Sequence, residues 1–177
     1  MKYVALLRGI NVGGNNKVDM KQLKLVFEKL GHENVITYIN SGNIVFESTL
    51  DDESSIVSDI EEGIKKEFGF SIRVIVRTKS NIDLVVSKMK PTWQNDSEQR
   101  TDVLFLWDEV NNNKVLQNIV INEVDEVQYI NGAVIWHFLR KDYNKSGMSV
   151  FVKNPLYKQV TVRNCNTVRK LNELLIQ

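Results

Sequence analysis

Three short segments carry most of the side chains that could do chemistry. The first, Arg8-Gly9-Ile10-Asn11-Val12-Gly13-Gly14-Asn15-Asn16-Lys17, sets two cations among glycines and asparagines. Between a strand and a helix, such a loop can offer backbone N–H groups to an anion. The second, Asn40-Ser41-Gly42-Asn43, has the composition of a tight turn. The third, Thr161-Val162-Arg163-Asn164-Cys165-Asn166-Thr167-Val168, gathers Arg163, Asn164, Asn166 and Thr167 where a strand passes into a helix. These donors are cationic or amide groups without a carboxylate pair or a histidine beside them. That set suits binding of a phosphate, a nucleotide or a nucleic-acid backbone better than proton transfer.

Several chemistries are excluded by spacing. A P-loop starting at Gly9 would need lysine at Asn15, and a dinucleotide fingerprint starting there would need glycine at Asn11. Ser41 has no marked base, so it is a weak nucleophile. Cys165 near a helix start could be acidified, yet nothing in the sequence places His32 or His137 beside it. Two histidines and one cysteine leave no transition-metal cluster. Each segment also has a purely structural explanation. Gly13 and Gly14 supply positive φ, the 19 asparagines include many that bond to backbone, and Asn164 or Asn166 is an N-cap.

Net charge is only +1, but its distribution is uneven. Residues 47–67 hold eight acids against Lys65 and Lys66, while residues 140–170 hold eight bases against Asp142 alone. The basic stretch interleaves Tyr143, Phe151 and Tyr157, a pattern that fits polyanion binding. The opposing explanation is that these bases lie on several faces or pair with the acidic helix. Hydrophobic residues at 42% and charged residues at 25% are ordinary for a globular chain, and 177 residues can bury roughly 70% of the unfolded surface. The lone cysteine, an N-terminal apolar run broken by Arg8 and the absence of a spanning segment lead to the expectation of a cytoplasmic protein without a membrane partner.

The elements that must position these groups follow from periodicity. Within residues 2–10 the continuous apolar run Tyr3 to Leu7 predicts a buried central strand, and Met20, Leu23, Phe27 and Leu30 predict a helix capped by Asp19 and closed at Gly31. Strands over 35–39 and 44–46, a helix on Ile56, Ile60, Ile64 and Phe68, and a strand over 72–77 complete βαββαβ. A third helix over Ile82 to Met89, with Ser80 as its cap, ends before Pro91. Residues 91–100 read as a connector anchored by Trp93. The second half repeats the order: strand 103–107, a helix around Val115 to Val120, strands 124–130 and 134–139 about an Asn131-Gly132 turn, a short helix with loop over 141–158, a strand over 160–162, and a final helix. The expected fold is α+β with two ferredoxin-like, split βαβ subdomains, 1–90 and 101–177, without a residue-level repeat.

Leu6-Leu7-Arg8-Gly9-Ile10-Asn11-Val12-Gly13-Gly14, Tyr38 with Ser41-Gly42-Asn43, and Thr161, Arg163-Asn164 and Asn166-Thr167-Val168 resemble, in order and spacing, a bacterial family catalogued as domain of unknown function 1697. The family usually has tryptophan where this chain has Cys165. The resemblance implies two ferredoxin-like subdomains and carries no activity or cofactor. The leading expectation is an anion-binding module whose Arg8, Asn11, Gly13, Gly14, Lys17, Asn40, Ser41, Asn43, Arg163, Asn164, Asn166 and Thr167 converge between the halves. Its partner would be nucleic acid or a phosphate-bearing small molecule. The alternatives are an enzyme acting on a phosphorylated or nucleotide metabolite, and an interaction protein whose motifs are structural. A missing RNP1-like string in residues 42–46 argues against an RNA-recognition domain.

Overall fold

The computed structural model describes residues 1–177, which divide into two compact units, Met1–Lys79 with Glu173–Gln177, and Ser80–Asn172. In the first, β1 (Lys2–Leu7) leads to α1 (Met20–Lys29), β2 (Glu33–Tyr38), β3 (Asn43–Glu47), α2 (Glu53–Phe68) and β4 (Val74–Thr78). The sheet order is β2-β3-β1-β4, every neighbour antiparallel. The unbroken apolar run of β1 is explained by its central place, where successive side chains on both faces are buried. Asp19 caps α1 by accepting from the N–H groups of Lys21 and Gln22, while Asp52 and the left-handed Gly69 bracket α2. Leu23, Val26 and Phe27 of α1 and Ile56, Ile60 and Ile64 of α2 join Tyr3, Ala5, Leu7, Ile44 and Phe46 in one core.

Helix α3 (Lys79–Lys88) begins directly after β4. Ser80 therefore lies in the first turn of α3 and is not its cap. The second sheet, β6-β7-β5-β8, is built from β5 (Gln99–Leu106), β6 (Glu126–Ile130), β7 (Ala133–Leu139) and β8 (Val160–Asn164), again antiparallel throughout. Its crossovers are less regular than the sequence suggested. The segment expected as a helix over 115–120 is a 3-10 turn, Asn113–Asn118, with Ile119 already extended. Three asparagines at its start and the β-branched Ile119-Val120-Ile121 run that follows disfavour α-helix. The second crossover holds two 3-10 turns and α4 (Met148–Phe151); α5 (Cys165–Ile176) ends the chain. Leu104, Leu106, Val134, Trp136, Phe138, Met148, Phe151 and Leu156 form this unit's core. Each unit is a ferredoxin-like α+β fold.

Strand register exposes a repeat that linear comparison misses. Val4 pairs with Val45 and Arg77, and Val103 pairs with Ile135 and Arg163. Arg77 and Arg163 thus hold equivalent positions. Both are 8% exposed, and each guanidinium donates to the carbonyl before it, Val76 at 2.8 Å and Val162 at 2.9 Å. The hairpin turns match too, since Leu7 N–H donates to the Gly42 carbonyl and Leu106 N–H to that of Gly132. Both glycines are left-handed. No helix is long and apolar enough to cross a membrane.

Candidate functional site

In the first unit, residues 11–16 form a miniature hairpin between β1 and α1. Asn11 N–H donates to the Asn16 carbonyl at 3.1 Å, Asn15 N–H donates to the Val12 carbonyl at 3.0 Å, and Val12 bridges Asn15. Gly13 and Gly14 have φ of 58° and 81°, two successive left-handed residues as a type I′ turn requires. Space around both is open, so backbone conformation and not crowding explains the glycines.

The asparagines hold this arm in place. The Asn11 side chain accepts from Val18 N–H at 2.9 Å and donates to the Val18 and Asn40 carbonyls, both at 3.0 Å. It thereby joins the arm to the turn that follows β2. Asn16 closes the base by donating to the Gly9 carbonyl. Asn43, fully buried, donates to the Tyr38 carbonyl and to Ser41 Oγ. Gly42 can only be glycine: its φ is 75°, and a Cβ would stand 2.7 Å from that of Leu7. Asn11, Gly13, Gly14, Lys17, Asn40 and Ser41 are all exposed. The N–H groups of Gly13, Gly14, Asn16 and Lys17 donate to no acceptor in the chain. Arg8 stands at the arm's root, where its N–H donates to the Arg73 carbonyl. Sequence reading missed Arg73 and also Ile39, an exposed β-branched residue at φ 49°, an unfavourable conformation for that side chain.

The second unit's motif is more deeply enclosed. Arg163 donates to Thr161 Oγ1 at 3.0 Å as well as to Val162. Burial lowers its pKa to about 10, which still leaves it charged at neutral pH. Asn164 is the cap, accepting from Thr167 N–H at 2.9 Å, and Asn166 donates to the Asn95 carbonyl. Thr167 is buried. Cys165 is fully buried, and burial pushes its thiol pKa up against the opposing pull of Arg169 and Thr101. It is a neutral interior thiol at physiological pH, and its position offers no surface to a ligand.

The basic stretch divides into engaged and unengaged groups. Arg140 donates to the Asp96 carbonyl and Asn95 Oδ1, Arg169 to the Trp93 and Lys90 carbonyls, and Lys145 pairs with Asp142. Lys141, Lys153 and Lys158 are exposed without a carboxylate partner. Of the interleaved aromatics only Tyr143 is exposed; Phe151 is buried and Tyr157 packs edge-on against it. That leaves no row of rings for bases to stack on. Asp19, the carboxylate nearest the first motif in sequence, is occupied as a cap.

Residues 1–136 match the model of a family described as "Protein of unknown function (DUF1697)". The chain is also similar to a solved structure described as that of the conserved bacterial protein SP0830 from Streptococcus pneumoniae. The two share 28% identity over 98% of each chain with a TM-score of 0.84. No curated protein matches the chain.

Proposed function

The chain belongs to the DUF1697 family, and we propose that its first unit binds an anion, the phosphate of a nucleotide or of a related metabolite, at residues 13–17, from the turn of the 11–16 hairpin to its base. One observation carries this reading: four N–H groups within five residues, those of Gly13, Gly14, Asn16 and Lys17, have no acceptor in the chain. They belong to a braced turn, so binding need not order it first. Lys17 adds a full positive charge, and Arg8 stands at the root of the arm. The asparagines of the motif act as scaffold, their side chains already bonded to backbone. Because the site is exposed, its attraction is ionic and screened by salt.

A second reading has support in the other motif. Arg163 is buried and Asn164 is a cap, which favours a bracing role for that segment over ligand contact.

Thermal unfolding against inorganic phosphate, nucleotides and short RNA at low salt tests the proposal. Stabilisation should grow with ligand concentration, reaching about 2.7 kcal/mol at a hundredfold excess over Kd, shrink as salt is added, and vanish in a folded Lys17→Ala variant. Salt-independent stabilisation, or an unchanged response in Lys17→Ala, would overturn it.

A further inference from the structure

The turn between β6 and β7 carries the only Asn-Gly sequence in the chain. In such a pair the glycine nitrogen can attack the asparagine carboxamide, because glycine has no side chain to shield it. Asn131 and Gly132 close Ile130 on Ala133, and Gly132 takes a φ of 91°. Asn131 is exposed, so water reaches it. Hydrogen bonds from three other segments converge on the pair. Asn111 Oδ1 accepts from Gly132 N–H at 2.8 Å, while Asn111 Nδ2 donates to Asn131 Oδ1 at 3.0 Å. Asn81 Nδ2 donates to the Asn131 carbonyl at 2.7 Å, and Leu106 N–H donates to the Gly132 carbonyl at 3.0 Å. We propose that Asn131-Gly132 is a latent self-modification site, convertible through a cyclic imide to aspartate or isoaspartate, and that Asn111 is the guard that keeps it unreacted in the folded chain.

The reaction needs only water besides the chain. The Gly132 nitrogen bonds to Asn131 Cγ, the Cγ–Nδ2 bond breaks, and the amide leaves as ammonia with the proton of the Gly132 N–H. Water then opens the imide at one of its two carbonyls. Opening at Cγ gives aspartate; opening at the main-chain carbon gives isoaspartate, which lengthens the main chain by one carbon. Both bonds of Asn111 oppose the first step. The nitrogen becomes nucleophilic on losing its proton, and an anionic nitrogen would face the Asn111 oxygen that accepts its N–H. Ring closure also requires the planar peptide between Asn131 and Gly132 to rotate against the Asn131 side chain. Asn81 holds the oxygen of that peptide, and Asn111 holds its N–H and the side-chain Oδ1 together. A carboxamide suits this task because it offers an acceptor and a donor side by side. Tyr129 OH donates to the same Asn111 oxygen at 3.1 Å and fixes its orientation. Reaction is therefore confined to turns that have opened locally. Isoaspartate does not fit a two-residue turn that must also offer the Gly132 carbonyl to Leu106, so conversion records the opening irreversibly.

The test is peptide mapping by mass spectrometry of the full chain held at neutral pH, which reads ammonia loss at Asn131 and separates aspartate from isoaspartate. Wild type, Asn111→Ala, Asn111→Asp and Gly147→Ala are compared with a free peptide spanning residues 129–134. Wild type should convert more slowly than the peptide, and Asn111→Ala about tenfold faster than wild type, the scale set by losing the two hydrogen bonds of Asn111. Asn111→Asp should stay near the wild-type rate, since Gly132 N–H keeps its acceptor and Asn131 can turn its amide to donate to the carboxylate. Gly147→Ala strains the same unit elsewhere, its Cβ meeting the Val120 carbonyl oxygen at 1.8 Å, and should leave Asn131 far slower than in Asn111→Ala. A wild-type rate equal to that of the peptide, no acceleration in Asn111→Ala, or Asn111→Asp as fast as Asn111→Ala would overturn the proposal. Equal acceleration in Gly147→Ala would do so as well, since overall stability and not Asn111 would then protect the turn.

Discussion

His32 shows how a single side chain can cost stability without taking part in any site. It is buried against Phe27 and Phe46, and its Nε2 has no hydrogen-bond partner. Burial lowers its pKa, only partly offset by Asp59. Above about pH 6.5 the ring is neutral folded or unfolded and contributes no pH dependence; below it the unfolded chain takes the proton first, so stability falls with falling pH. His32→Leu removes the orphaned nitrogen at similar volume. It should be neutral or stabilising by about 1 kcal/mol near neutrality, with a larger gain in acid, measured by urea unfolding at the two pH values. At this scale the sequence revealed residue types and not their commitments. Asn11, Asn43 and Asn164 were legible as polar groups at strand ends. The bond of Asn11 to the Asn40 carbonyl depends on a segment distant in sequence, whereas Asn43 and Asn164 bond to backbone within five residues.

Among the elements, the least regular crossover is held by one carboxylate. Asp125 accepts from Asn122 N–H, Trp136 Nε1, Ser146 Oγ and Gly147 N–H. Burial would raise its pKa, but hydrogen bonds led by Ser146 and Trp136 hold it below the usual carboxylate range. Its contribution is therefore full above about pH 4, the unfolded value, and is lost as pH falls through the lower folded value. Asp125→Asn should cost about 2 kcal/mol near neutrality and flatten that acid dependence. Gly147→Ala should cost about 3 kcal/mol, because the new Cβ would meet the Val120 carbonyl oxygen at 1.8 Å. Chemical denaturation checks both. The regular elements were readable because their apolar spacing matches their burial, as in α1 and α2. The 113–118 turn was not, since Val115, Leu116, Ile119 and Val120 recur at helical spacing while the preceding asparagines and the β-branched run over 119–121 oppose a helix.

For the molecule as a whole, the two units share sheet order and register, so Arg77 and Arg163 are equivalent although their flanking sequences differ. A repeat conserved in hydrogen-bond register leaves little trace in a linear comparison, because packing constrains only the inward residues. The first motif has no counterpart in the second unit: β5 runs from Leu106 into the 3-10 turn at Asp108–Val110, and no Gly-Gly turn occurs there. The proposed anion site accordingly concerns one hairpin, not both units. The most direct measurement is a phosphate titration of the 15N-labelled protein followed by amide NMR. The expected result is saturable shifts at Gly13, Gly14, Asn16 and Lys17 that are suppressed by salt and absent in Lys17→Ala. Unperturbed resonances at those four residues, or shifts that persist in the variant, would contradict it.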